Sequence, residues 1–432
     1  AGTGALTKAG AGTLILAGNN TYAATTVSAG TLQVGNGSAS GTLGTGAVTV
    51  AGLLAFNRSD DVTVSDAISG AGGLSKMGGD TVTLTGAQTY TGATNVAAGR
   101  LVFQNDVAPT TVGFTGSGAV TIEPSSAGFT SATSSNYTYA STLSGFTLGK
   151  AGNTQAVTVA SAINIAGPIT VYGASVTTSA ALTSTATGQG ITLKALGNVT
   201  DGASLTTNGG DITLWANSAG ATTGGIIVNN GTTLSSNGGW ITLGGSVGSI
   251  SGLPATSTLG TALPQGYAMN ANTVTGLSLG SSVGATSQTA NITMNSGNGR
   301  VGLAGESSVY AAGGGGGLIS FGLVAYNGVN INTGSGDLIA YGLTSGTPSG
   351  NNSFTAALQI QPWAISQSTG STWKTNGGNI VLTGLSTAFG SQESGRGLFM
   401  DGTTAAPLTI ENTSTTSGSL TFNGAVTGSP VS

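Results

Sequence analysis

The sequence predicts an all-β protein: a right-handed parallel β-helix, or β-solenoid, forming a single elongated rod with loop insertions. Three observations carry that expectation. Gly supplies 77 of 432 residues without a three-residue period, so the chain is rich in turns yet unlike collagen. Charged residues make up only 5% while hydrophobic residues make up 38%, whereas disordered chains are charged and poor in apolar residues. Two families of short motifs recur along the chain, each a β-type run bounded by Gly or Asn.

The first family opens the chain. LTKAGAGTLILAGNNTYAATTVSAGTLQVGNG, from Leu6, returns as LSKMGGDTVTLTGAQTYTGATNVAAGRLVFQN, from Leu74. Leu6 falls on Leu74, Lys8 on Lys76, Gly10 on Gly78, Gly18 on Gly86 and Tyr22 on Tyr90. One residue is then inserted in the second copy, after which Val27 falls on Val96, Gly30 on Gly99 and Leu32 on Leu101. TLIL and TVTL read as strands, Gly-Asn-Asn and Gly-Ala-Gln as turns, and AGTLQV and AGRLVF as strands entered from Gly. AGTGALTK at the start aligns with SGAGGLSK ahead of the second copy, so the chain is expected to begin inside a repeat and to be a segment of something longer.

The second family fills the C-terminal part. NGGDITL (208–214), NGGWITL (237–243) and NGGNIVL (376–382) are close relatives, and GNGRVGL (297–303), GSGDLIA (334–340) and SGSLTF (417–422) are weaker ones. The slot before each strand holds Asp211, Trp240, Arg300, Asp337, Asn379 and Ser419 in turn. Acid, aromatic, base, amide and hydroxyl sharing one slot indicate a solvent-facing position. Ile212, Thr213 and Leu214 then alternate apolar and polar, as in a strand with one buried face. The slots are unevenly spaced, which fits rungs with shared strands and loops of different length.

Neither a propeller signature nor helical segments to cover a sheet can be found. A parallel β-helix uses Gly and Asn at its corners, apolar residues in its internal ladders and Thr on its outer face. At roughly 20–25 residues per rung the chain makes about 16–20 rungs. At ~4.8 Å per rung the rod is roughly 80–100 Å long. The expected organisation is two repeats in 1–105, an irregular transition in 106–145, and further rungs in 146–432. Long loops are expected near 250–288, with Pro254 and Pro264, and near 343–375, with Pro348 and Pro362.

The repeated stretch at Leu6 and Leu74 resembles the passenger-associated transport repeat of bacterial autotransporters. GTLGTGAVTVAGLLAFNRSDDVTVSDAISGAGG (41–73) is similar to the sequence that joins such repeats. From about residue 146, FTLGKAGNTQAVTVASAINIAGPITVYGASV and the NGGxITL series resemble the strand repeats of filamentous-haemagglutinin-like exoproteins. The resemblance implies a Gram-negative surface or secreted protein, exported across the outer membrane, with an adhesive or structural role. Neither a signal sequence nor an export barrel lies in this segment, so any membrane association is expected only through a barrel outside it.

The composition sets the chemistry aside. No Cys and no His are present, which removes thiolate metal sites, disulfides and the usual general base. No cofactor, metal or catalytic residue is assigned. Nine scattered basic residues do not make a nucleic-acid surface. Asp60 and Asp61, adjacent in a turn, read as solvated acids. Glu393, Arg396 and Asp401 read as a loop ion pair more readily than as a catalytic pair. The Gly run AAGGGGGLIS (311–320) lacks the Lys of a phosphate loop. Lys8 and Lys76 read as solvating charges that guard a β surface against edge pairing. Aromatics are the better lead: Trp240 in the solvent-facing slot, Trp215 after the matching strand, and Trp363 and Trp373 in or beside a long loop are the candidate contacts for a glycan or protein. The expected function is a structural or adhesive fibre segment whose partners are host or bacterial surface glycans or proteins. A polysaccharide-degrading β-helix enzyme and a self-assembling extracellular filament are the alternatives.

Overall fold

Short β-branched runs punctuated by Gly build strands and nothing else. In the computed structural model every regular element among the described residues is a strand. The structure describes residues 4–219, 224–245, 267–270, 273–280, 289–308, 319–345, 354–361, 369–386 and 396–426. The chain divides into two compact units, Ala1–Gly173 with Thr183–Ala186, and Ala174–Leu182 with Thr187–Ser432. Each is a parallel β-helix in which strands stack in chain order.

Over the earlier rungs of the first unit three ladders run side by side, and Thr133–Ser135 with Val157–Val159 begins a further one. One holds Leu6–Lys8, Thr25–Val27, Val48–Val50, Ile68–Gly70 and Gln88–Tyr90. A second holds Thr13–Leu16, Thr31–Ser38, Leu53–Arg58, Gly73–Lys76, Thr94–Val96, Gly113–Gly116 and Thr138–Tyr139. The third contains Val62–Val64, Thr81–Leu84, Arg100–Gln104, Ala119–Glu123 and Gly145–Leu148. The repeated stretch closes on itself: Leu6 pairs with Thr25 and Thr13 with Thr31, while in the second copy Leu74 pairs with Thr94 and Thr81 with Arg100. The two copies occupy different faces, because the distance between them is not a whole number of rungs. Gly30 and Gly99, at equivalent positions, have φ of 64° and 67°, the left-handed corner that only Gly enters freely.

Residues 106–145, expected to be irregular, continue these ladders through Gly113–Gly116, Ala119–Glu123 and Thr138–Tyr139. Their strands are short and their corners long, which hid the period. Inside, Phe114 lies 5.0 Å from Tyr137 and Tyr139 lies 4.9 Å from Phe146, ring centre to ring centre, so aromatics fill this part of the core.

In the second unit the slot series sets the register. Ile212 pairs with Ile241, Ile241 with Val301, Val301 with Leu338, Leu338 with Ile380 and Ile380 with Leu420. The corresponding rungs take 29, 60, 37, 42 and 40 residues. Side chains alternate: Ile191, Leu193 and Ala195 are fully buried, while Thr192 and Lys194 between them face outward. Each buried Ile, Leu or Val contributes about 1.5–3 kcal/mol.

Of the two stretches expected as long loops, 250–266, 271–272, 281–288, 346–353 and 362–368 fall outside the described residues, and strands occupy parts of the rest. Thr273–Leu279 lies in parallel between Ile226–Val228 and Ile319–Ala325, with Tyr267–Asn270 antiparallel on it. The end of Leu338–Ser345, Phe354–Ile360 and Ser371–Thr375 fall within 343–375. The prolines that suggested loops, Pro254, Pro264, Pro348 and Pro362, fall outside the described residues, as does most of the Gly run at 311–320.

These later strands are long because two walls cross at a seam of glycines. Gly305, Gly342, Gly384 and Gly424 are aligned by register. A Cβ on Gly342 would lie 1.8 Å from the Ala357 carbonyl oxygen, and one on Gly384 2.0 Å from that of Gly397. Beyond the seam a second, smaller interior forms, in which Ser307 and Ser320 hydroxyls meet at 2.5 Å and the Thr344 hydroxyl donates to Ser386 Oγ at 2.9 Å.

Candidate functional site

The slot residues of the second unit stand in one column on the outer face. Where the slot residue is an acceptor, it holds the next rung. Asp211 Oδ1 accepts from the Trp240 backbone N–H at 2.8 Å, Asp337 Oδ1 from that of Asn379 at 2.7 Å, and Asn379 Oδ1 from that of Ser419 at 3.1 Å. Asp61 does the same in the first unit, accepting from the Thr81 N–H at 2.7 Å. The slot faces solvent as expected, and its acids are also inter-rung clips.

A second clip escaped the motif reading. In five of the six motifs a Ser or Thr stands three residues before the Gly that precedes the slot, and its hydroxyl donates to that Gly's carbonyl. Ser236 reaches Gly239 at 2.6 Å, Ser296 reaches Gly299 at 2.6 Å, Thr333 reaches Gly336 at 2.5 Å, and Thr375 reaches Gly378 at 2.8 Å. The signal was present in the sequence as TNGG, SNGG, SGNG and TGSG, with the hydroxyl always first.

Trp240 and Arg300 interrupt the column of acceptors and pair with each other. The Arg300 guanidinium lies 4.2 Å from the Trp240 ring centre, and the ring is 44% exposed. Burial pushes the Arg300 guanidinium below its ordinary pKa, and Asp337 and Asp211 on either side act against that. Further along the same sheet the Lys194 ammonium lies 3.7 Å over the Trp215 ring, from the rung below. Thr213 and Thr242 stand between the two indoles. The outer face therefore carries two cation–π pairs, each desolvating a cation against a flat apolar ring. Aligning ITLKA with ITLWA would have found the Lys194–Trp215 pair from sequence.

The other two indoles are not part of this face. Trp373 is 0% exposed within Ser371–Thr375, its ring turned into the core, so it is not a surface contact. Its strand reads S-T-W-K-T, whose polar inward neighbours Ser371 and Thr375 hide the buried face. Trp363 lies outside the described residues, and so does Glu393. Arg396 stacks 4.2 Å over Phe399, and Asp401 Oδ1 accepts from the Gly402 N–H at 2.9 Å.

Lys8 and Lys76 correct the expectation of solvating charges. Both are buried, Lys76 to 2% exposure. Lys8 Nζ donates to the carbonyls of Ala9, Gly10 and Ala29 at 2.9, 2.7 and 3.1 Å. Lys76 Nζ donates to Gly78 and, at 3.2 Å, to Ala98. The ammonium gathers carbonyls from two successive corners, which neutral side chains cannot do so well. Burial lowers the Lys76 pKa, with Asp80 and Asp61 opposing. Arg58 plays a similar part, donating to Gly41 and Ala39 carbonyls while gripping Asp60 through two bonds of 2.8 Å. That bond holds the Asp60 carboxyl below the usual range.

One buried acid has no counterpart in the sequence reading. Asp201 is fully buried; its Oδ1 accepts from the Thr178 hydroxyl one rung away, and its Oδ2 has no partner. Burial pushes its carboxyl up to about 7.

Comparison with known proteins meets this geometry in the first unit. The passenger-associated transport repeat model matches residues 6–34 and 74–103, the two stretches that close on themselves. The Adhesin BmaC autotransporter of Brucella suis biovar 1 (strain 1330) is 45% identical over 75 residues, which are 17% of this chain and 2% of that protein. The chain thus spans a small fraction of that relative's length. No solved structure matches it. The stretches at 6–34 and 74–103 that close on themselves are thus the ones that resemble the passenger-associated transport repeat.

Proposed function

We propose that the chain is an adhesive wall segment of a bacterial surface protein, exported to the cell exterior, which contacts its partner through the Trp240–Arg300 pair. The observation that supports this most is the position of Trp240. Asp211, Asp337 and Asn379 in the same column stitch rungs together, yet here a large ring stands exposed with a guanidinium across it. An exposed indole beside a cation contributes binding energy to a sugar face or a protein anchor. The passenger repeats and the adhesin relative support the cellular setting. The surrounding Thr-rich wall supports a mechanical rather than chemical role.

The test is to display the chain on beads or cells and measure attachment to host-cell and bacterial-surface preparations. Trp240→Ala and Arg300→Ala are expected to reduce attachment at least about tenfold, as interface anchors do. Thr383→Ala, on the same sheet, is the control. Attachment unchanged by both variants, or turnover of a polysaccharide by the intact chain, removes this reading.

A further inference from the structure

The first unit contains an open cleft of about 420 Å³ between two successive corners. Its origin lies in the rung lengths. Thr110 stacks on Tyr90, 20 residues earlier, but Thr138 stacks on Val112, 26 residues earlier. The surplus of the upper rung bows outward and leaves space above residues 106–111.

Hydrogen bonds pin both walls. Asp106 Oδ1 accepts from the Ser125 hydroxyl at 2.9 Å and the Ser126 N–H at 2.8 Å, and the Asp106 carbonyl accepts from the Thr130 N–H at 2.8 Å. On the floor, the Tyr137 hydroxyl donates to the Pro109 carbonyl at 2.9 Å and Thr111 Oγ1 to Gly92 at 2.7 Å. A gap held open in this way is preorganised: a ligand need not order it.

The lining selects the ligand. Ser131, Ser134 and Asn136 line the cleft with short polar side chains, and all three are exposed. Val107, 57% exposed, stands at the rim with Ala108 and Ala132. No Lys or Arg lines the cleft, and Asp106 is its one charge. Hydroxyls and an amide match ring hydroxyls, and a small apolar rim matches the C–H face of a sugar. With no cation and one carboxylate, an anionic ligand meets repulsion and no partner. The volume falls within the roughly 300–1,000 Å³ of ligand clefts, room for about two pyranose rings.

We propose that this cleft binds a neutral saccharide. The site involves neither Trp240 nor Arg300, and it stands without the adhesive reading given above.

The test uses the purified chain, with no cells. It is titrated with neutral oligosaccharides of glucose, galactose, mannose and N-acetylhexosamine, and with their sialylated or sulfated counterparts. Saturation-transfer NMR on the parent chain reports contact independently of any variant. Saturable binding of at least one neutral sugar is expected, at least about tenfold tighter than its acidic counterpart. Asn136→Ala combined with Ser134→Ala is expected to weaken it about tenfold, through lost hydrogen bonds. Ala132→Trp, filling the cleft, is expected to abolish it. These residues are exposed, so the melting temperature stays that of the parent. No saturable neutral sugar, tighter binding of the acidic forms, or binding that survives Ala132→Trp overturns the proposal. Loss of cell attachment in the Trp240 variant with sugar binding intact leaves this site standing.

Discussion

Replacing Asp201 by Asn should change how stability depends on pH. In the folded chain its carboxyl is raised from 3.8 to about 7 by burial, against the Thr178 hydroxyl bond. In the unfolded chain it ionises near its ordinary value. Below pH 3.8 both states hold the proton and Asp201 costs nothing through ionisation. Between that pH and about 7 the unfolded chain releases its proton and the folded chain keeps it, so stability falls as pH rises. Above about 7 the loss is complete. A shift of roughly three units at ~1.4 kcal/mol each sets it at about 4 kcal/mol. The side chain is fully buried, so solvent does not screen this. Asn keeps the shape and the bond from Thr178 but does not titrate. Its amide replaces the unpartnered Oδ2, at a pH-independent cost of about 1–3 kcal/mol. Urea unfolding of both chains at pH 5 and pH 8.5 isolates the difference, because all other acids are common to both. The parent should lose about 3 kcal/mol relative to Asp201→Asn across this interval, since roughly two of the units lie above pH 5. Equal pH dependence in the two chains, or a parent that gains on the variant as pH rises, refutes the assignment.

Further expectations follow from the clips and the seam. Lys76→Met, which keeps the buried stem and removes the ammonium, should lower stability by about 1–3 kcal/mol, since the Gly78 and Ala98 carbonyls lose a charged donor. A surface lysine would cost within ~0.5 kcal/mol, so a thermal melt separates the two roles. Gly342→Ala should cost at least about 3 kcal/mol or prevent folding, because its Cβ meets the Ala357 backbone, while Gly12→Ala, whose Cβ meets nothing within 4 Å, should be near neutral by circular dichroism melting. Thr375→Val should cost about 1–2 kcal/mol by leaving the Gly378 carbonyl without its hydroxyl, read as a fall in the urea midpoint.

The register of the second unit was legible because its motif carries its own ruler. Asp211, Trp240, Arg300, Asp337, Asn379 and Ser419 each precede a strand, and the strands pair in that order. The glycine seam left a signal that the motif reading did not use: Gly305, Gly342, Gly384 and Gly424 each sit four places after the first residue of an aligned strand. Lys8 and Lys76 were misread because a lysine near Gly looks solvated. Only the stacking of corners a full rung apart shows that carbonyls converge on its ammonium. Trp373 was misread because burial in this fold depends on which face a residue occupies, and its polar neighbours hid that face. The cleft at 106–137 needs two loops whose spacing only the stack determines. Asp201 becomes unusual only once Thr178 and Val228 enclose it from the neighbouring rungs.

The self-pairing of each repeated stretch bears on how the chain acquires its structure. β proteins fold slowly when their partners lie far apart in sequence, because the intervening loop must close before any pairing is gained. Here Leu6 finds Thr25, and Leu74 finds Thr94, inside a single repeat. Such a stretch carries its own pairing partner close by in sequence. Each later rung then adds to a finished edge, one at a time. A chain emerging through a narrow opening, from whichever end, would meet its pairing partner within about one rung of its own length, and its β structure would assemble with the local economy of a helix.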